Sequence, residues 1–518
     1  MSSAIAFSQS LQRNGKRSHQ IAFGDEEDSS VRIPRRVSIA EASQLPERGL
    51  RDELVKLYFT HFHPLCPVVD EVEFMEIYND SEDDEEFEKR FPLPLFQAMM
   101  NVAFAHLPSA RLSSIPYKSI YDGQKVYFEK ASLLYRMHYT LDHLVLTKVA
   151  LLLTYWSPFD AEYQVNSYWT DRAFHHARVI RLWDHQGESV ASSSRYYLTW
   201  WCCLLRDRLI SIALRRPYRI HEARSTWAVS SEKAFGLEVM LPKFTNIKTK
   251  RTLINSFIWL FFHEGKRFDR EWSGRPIDKG TLTAEATQVQ QFDSQLRDWK
   301  EAYLRVSGEY IGALGPGTSK FPNYVLIICD SMRATLYAPY IYCPVGSIDA
   351  AEKFRQAALQ RIKRASSEVA LHCYKISQAS NPANEFQSGI IAWIAFPMAV
   401  FKVLKEKGGK GDISNETKGQ SFDDFLPFLS AFTTRFPSAK LLENIICETT
   451  GEIMERSARL GIAQKDIRHR ILSLYGRTSA GDRRHIAEEN RPKEIEEAEI
   501  LNVVGKMVDL RLSTDGST

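Results

Sequence analysis

WWCCLLRDRLISIALRRP, running from Trp200 to Pro217, is the stretch whose reading decides the fold. Trp201, Leu204, Leu205, Leu209 and Ile212 recur at the 3.6-residue period of one helix face. Two segments upstream read the same way. LTKVALLLTYWSP (Leu146–Pro158) is an apolar helix, too short and too interrupted by Thr147 and Lys148 to cross a bilayer. In NSYWTDRAFHHARVIRLW (Asn166–Trp183), the face Trp169, Ala173, His176, Ala177 and Ile180 keeps the helical period. Period-two strands are nearly absent and there is no internal repeat, so the chain reads as all-α.

Working outward, GLRDELVKLYFTHF places Leu50, Leu54, Leu57, Tyr58 and His61 on one helix face, and Pro64 and Pro67 end it. Asp70 is spaced to cap a second helix, with Glu73 three residues on as in a capping box. The acidic run NDSEDDEEFEKRF (Asn79–Phe91) breaks the pattern and reads as a solvated loop. Helical segments are predicted over 94–106, 121–138, 142–156, 166–183 and 195–215. Others follow over 251–270, 283–304, 323–340, 348–377, 385–405, 422–436 and 439–460. Breaker-rich loops at 307–322 and 405–421 separate some of them.

Three parts are expected: a disordered basic and acidic arm over 1–45, a large multi-helix body over 46–480, and a charged C-terminal helix and tail over 481–518. The 518 residues are 44% apolar and 12% aromatic, ample for a real core. Lys and Arg total 67 against 64 Asp and Glu, a net charge of +3, so the chain does not coat nucleic acid by phosphate neutralisation alone. Seven cysteines, irregularly spaced and mostly in apolar segments, suit a reducing compartment. The N-terminus lacks the apolar stretch of a signal peptide.

Catalytic and metal motifs are scarce. No C-x2-C pair occurs, and Cys202-Cys203 are adjacent within an apolar helix. His61–His63 and His175-His176 have no carboxylate or cysteine at ligand spacing. Gly312–Lys320 does not follow the phosphate-loop order, and neither G-x-G-x-x-G nor G-x-S-x-G is present, so no cofactor is expected. The acids Glu82–Glu86 would suit a magnesium-diphosphate enzyme only if a second acidic set faced them. Arginines from Arg206 to Arg219 read as cations that offset a helix C-terminus, with Asp207 and Glu222 as partners. In the arm, Lys16, Arg17, Arg32, Arg35 and Arg36 loosely form a two-part nuclear-import signal, and Ser38 follows a basophilic-kinase pattern.

Several blocks together resemble the middle homology region of fungal zinc-cluster transcription regulators, closest to the cutinase transcription factor branch. LVKLYFTHFHPLCPVVDEVEFMEIY (Leu54–Tyr78) is similar to its opening block. YFEKASLLYRMHYTLDHLVLTKVALLLTYW (Tyr127–Trp156) resembles the next. The pattern W-W-x5-D-R-x6-[GR]-R-P is met by Trp200, Trp201, Asp207, Arg208, Arg215, Arg216 and Pro217. CDSMRATLYAPYIY (Cys329–Tyr342) resembles a later helix. The likeness spans about 50–460 and is most specific over 54–220. The chain departs where many members carry Gly at the position of Arg215, and where Gly-Leu-His often stands in place of Arg181-Leu182-Trp183.

The resemblance implies an all-α regulatory domain in a nuclear transcription regulator of a fungal gene set, such as a secondary-metabolism or catabolic cluster. Trp200, Trp201, Asp207, Arg208, Arg216 and Pro217 are then structural motif residues. It implies as partners the transcription machinery or a DNA-binding protein, a small-molecule effector, and no membrane. The six-thiolate zinc cluster of the family is not encoded within residues 1–518, so direct DNA binding stays open. Two alternatives stand beside this reading: an all-α metal-dependent enzyme acting on a diphosphate, and a small-molecule-binding scaffold without a transcriptional role.

Overall fold

The computed structural model describes residues 37–137, 142–156, 165–184, 190–214, 219–220, 279–314, 320–341, 349–406, 425–437, 439–440, 443–444, 501 and 505. Among them every regular element is helical. The first half contains α1 (Ile39–Ser43), α2 (Arg48–Leu57), α3 (Glu71–Asp80), α4 (Asp84–Arg90), α5 (Leu93–Phe104), α6 (Ile120–Met137), α7 (His143–Leu153), α8 (Val165–Val179) and α9 (Val190–Ala213). The second half contains α10 (Lys279–Leu314), α11 (Lys320–Tyr337), α12 (Asp349–Ala379), α13 (Pro382–Glu385), α14 (Ile390–Glu406) and α15 (Leu426–Thr433).

The pairs α5–α6 and α7–α8 pack side by side, as do α11–α12 and α12–α14. Gly123 on α6 lets α5 come close, since a Cβ there would lie 2.1 Å from the Phe104 ring. One continuous apolar core runs through both halves. Polar ties also cross between them. The Arg435 guanidinium donates to the carbonyls of Ala105 and Leu107, at 3.3 and 3.2 Å, just beyond the C-terminus of α5. The Gln387 amide donates to the Val102 carbonyl at 2.9 Å. His106 Nδ1 meets the Asn384 carbonyl at 2.9 Å. No helix among the described residues is long and apolar enough to cross a membrane.

The structure departs from the periodicity reading at several places, each with a physical reason. Helix α1 lies inside the stretch read as an arm. Its Ala42 is buried, and the Gln97 side chain binds the carbonyls of Ala42 and Gln44 at 2.9 and 3.1 Å. The acidic run expected as a loop forms α4, because Asp83 caps the Glu86 amide and Phe87 buries itself in the core. Helix α10 runs on through Ser307–Leu314, where glycines suggested a loop; two helical glycines cost about 1 kcal/mol each and do not forbid the helix. Asp70 caps the Glu73 amide as expected, while the Glu73 carboxylate pairs with Arg195 at 3.1 Å. The segment 251–270 and most of 439–460 lie outside the described residues.

Candidate functional site

Most side chains of the motif helix α9 from Tyr197 to Ala213 are buried, so this stretch is packed on several sides at once. One side is structural. Trp200 is wedged against Phe174 (ring centroids 5.8 Å apart) and Trp183 (5.1 Å). Asp207 is fully buried, and both its oxygens are engaged by Arg219: the backbone amide at 3.1 Å and the guanidinium at 3.3 Å. Arg219 also reaches Asp171 at 2.5 Å and the Ser167 carbonyl at 3.0 Å on α8. Arg208 lies 3.7 Å from Asp207 and donates to the Ile220 carbonyl at 2.7 Å. Burial pushes the Asp207 carboxyl above its usual range, although Arg219 and Arg208 pull the other way. The D-R pair of the motif therefore clasps the chain that follows α9 onto α8 and α9.

Another side of the same helix lines a cavity of about 120 Å³. Arg206, Leu209, Ile210, Ala213 and Leu214 come from α9 and its end, and His61, Phe62 and Leu65 from the end of α2 and beyond. The opposite wall belongs to the second half, with Tyr324 and the run from Gln387 to Trp393. Helix α2 leads into a π-helical turn, Tyr58–Phe62, closed by the His63 amide on the Tyr58 carbonyl at 2.8 Å. Such turns insert one extra residue into the helix and re-aim its side chains. Here the turn delivers His61 and Phe62 to the cavity.

Arg206 carries the charge of this cavity. Its Nε donates to Thr154 Oγ1 at 2.9 Å and one Nη to the Thr154 carbonyl at 2.8 Å. Its guanidinium carbon lies 3.7 Å from the centre of the Tyr155 ring. Burial lowers its pKa from the ordinary arginine value and raises that of Tyr155, and Tyr324 is pushed up to about 12. At the far wall, Gln387 Nε2 lies 2.9 Å from His106 Nε2, so His106 accepts there and donates from Nδ1 to the Asn384 carbonyl. His61 pairs with Glu385 at 3.0 Å and stacks on His106.

The sequence-derived residues divide accordingly. Trp200, Trp201, Asp207 and Arg208 are brought together and buried. Arg216, Pro217, Glu222 and the basic residues Lys16, Arg17, Arg32, Arg35 and Arg36 lie outside the described residues. Ser38 is exposed immediately ahead of α1. The histidine pairs have partners that spacing did not reveal: Glu385 for His61, and Tyr135 and His143 for His176, at 2.6 and 2.8 Å. Arg206 does offset a helix C-terminus, but that of α7 rather than of its own helix. Sequence reasoning missed the cavity as a site, because its walls come from segments more than 100 residues apart in the chain.

Two acidic groups bear on metal chemistry. In Glu82–Glu86 the side chains pair within their own helix or nearby: Glu85 with Lys89 at 2.6 Å, Glu86 with Arg90 at 3.5 Å and Asp84 with Arg51 at 2.7 Å. Asp330, Glu368 and His372 converge with metal-like spacing. The Lys300 ammonium sits among them, 2.7 Å from Asp330 and 3.8 Å from Glu368, in the place a cation would take. Arg333 then joins Asp330 to Asp293, completing a buried ion network across α10, α11 and α12.

Residues 55–235 match the model of the fungal specific transcription factor domain. Cutinase transcription factor 1 beta of Fusarium vanettenii is 28% identical over 250 residues, covering 45% of this chain and 28% of that protein. A transcription factor of Fusarium pseudograminearum is 32% identical over 181 residues, 34% of this chain and 20% of its own length. The acetamidase regulatory protein of Aspergillus fumigatus is 29% identical over 191 residues, 35% of this chain and 23% of its own length. The chain thus spans less than a third of the length of these relatives. The matched segment contributes one wall of the cavity, and the other wall lies outside it.

Proposed function

From the match of residues 55–235 to the fungal specific transcription factor domain, we propose that the chain is a nuclear transcription regulator of a fungal gene set. The observation that carries the reading is the matched segment itself, with the Trp200–Arg208 motif built into its core. Relatives named as transcription factors and regulatory proteins, rather than enzymes, support it. No C-x2-C pair occurs in the sequence, so DNA recognition falls to a partner protein or to a further module. Lys16, Arg17, Arg32, Arg35 and Arg36 serve nuclear import in this reading, and the exposed Ser38, which follows them in the sequence, is the residue a basophilic kinase modifies.

Deletion of the gene followed by transcript sequencing tests the proposal. The expected result is a changed level of a discrete gene set, restored by a tagged copy that enters the nucleus. An unchanged transcriptome under every growth condition in which the protein is present would overturn it.

A further inference from the structure

Arg206 is a largely buried cation in an apolar cavity, and among the described residues no carboxylate pairs with it. That contrasts with the other buried charges nearby. Asp207 has Arg219 and Arg208, and His61 has Glu385. Two hydrogen bonds to Thr154 and the face of Tyr155 orient the guanidinium. A helix C-terminus supplies only about half an opposing charge, and a ring face is worth roughly 0.5–2 kcal/mol, so a net positive charge remains. The walls around it include Phe62, Leu209, Ile210, Ala213 and Trp393, with His61, His106, Asn166, Gln387 and Ser388 as the polar groups among them. A mostly apolar cavity with a small number of oriented polar groups is the ordinary form of a small-molecule site.

We propose that this cavity binds a small apolar monocarboxylate, its carboxylate on Arg206 and its hydrocarbon or aromatic body against Phe62, Ile210 and Trp393. The guanidinium edge not turned to Thr154 offers the charge-assisted donors such an anion needs. Size limits the class. A cavity of roughly 150 Å³ is known to admit benzene, so 120 Å³ takes a body of about that size rather than a long chain. Because the two walls come from different halves of the chain, an occupant would tie the family segment to the remainder. The inference deepens the regulatory reading and rests on it only for its biological meaning; binding is read on the purified chain.

The test is calorimetric titration of purified full-length protein with benzoate and with benzamide, which share shape but not charge. Benzoate is expected to bind at least tenfold more tightly. Arg206→Met should abolish that preference. Ala213→Phe, which enlarges a buried side chain on the cavity wall, should block both ligands while keeping the arginine. Melting curves confirm that each variant folds. Equal affinity for the two probes, no benzoate binding by the folded wild type, or benzoate binding unchanged in folded Ala213→Phe would each overturn the proposal. None of these outcomes touches the transcript result, so the two readings fail separately.

Discussion

The Arg206 guanidinium stands 3.7 Å from the centre of the Tyr155 ring, joining the motif helix to the residues that end α7. The Tyr155 ring also meets Phe62 edge-on, with centroids 4.7 Å apart. One aromatic ring thus orients both the charged and an apolar wall of the cavity. Tyr155→Phe keeps the ring and should leave stability within about 1 kcal/mol of wild type. Tyr155→Leu loses the cation–π contact, worth roughly 0.5–2 kcal/mol, and the edge contact with Phe62. Urea unfolding of the two variants side by side checks the difference.

Arg181 occupies a left-handed conformation, φ 49°, where α8 ends. The Leu182 amide donates to the Ala177 carbonyl at 3.0 Å and the Arg181 amide to that of Arg178 at 3.2 Å, the two bonds of a Schellman motif. Glycine takes this conformation without the Cβ penalty, so Arg181→Gly is expected to stabilise the protein by about 1 kcal/mol. The exposed pair of Arg181 with Asp184 offsets little of that gain. A thermal melt that falls rather than rises would show that the side chain matters more than its backbone.

The Asp330 carboxylate is the hub of the buried network. Burial alone would raise its pKa, but Lys300, His372 and Arg333 outweigh burial and hold it well below the usual carboxylate range. A depressed folded-state pKa gives stability that is present above about pH 3.9 and is lost as pH falls below it. Asp330→Asn removes the nearest counter-charge of Lys300, which keeps only Glu368 at 3.8 Å, and leaves Arg333 with Asp293 alone, so a loss of about 2–4 kcal/mol at pH 7 is expected. Adding Lys300→Met should recover part of it. Denaturant midpoints for the single and double variants decide.

How much of this was legible in the sequence follows from the range of the forces. Helices with a strong apolar stripe, such as α8 and α9, were readable because their periodicity is local. Helix α4 was not, since its acids hid one buried aromatic, Phe87, whose value depends on packing against Phe74 and Phe96. The motif residues Trp200 and Asp207 were found through their match to the family pattern, and a structural role is what that resemblance implied. Arg206 was seen, but its setting was not. What makes it a site is Tyr324 and the Gln387–Trp393 wall, brought there by tertiary packing that no local pattern encodes.

His176 is buried between Tyr135 and His143, and burial, with His175, His143 and Arg172 nearby, lowers its pKa to about 4. The folded state therefore binds fewer protons than the unfolded state between roughly pH 6.5 and 4. The sign is fixed: the stability tied to a neutral His176 is present above pH 6.5 and lost as pH falls toward 4. His176→Gln keeps a hydrogen-bonding side chain that does not titrate. Its melting temperature should fall less steeply than that of wild type over that interval, read in a pH series of thermal melts.

The regulatory account is tested most directly by recruiting residues 1–518 to a reporter promoter through a heterologous DNA-binding module in a fungal host. The account predicts reporter transcription that differs from that given by the module alone, in at least one growth condition. A fusion that is folded, nuclear and bound at the promoter, yet leaves transcription unchanged throughout, would contradict it.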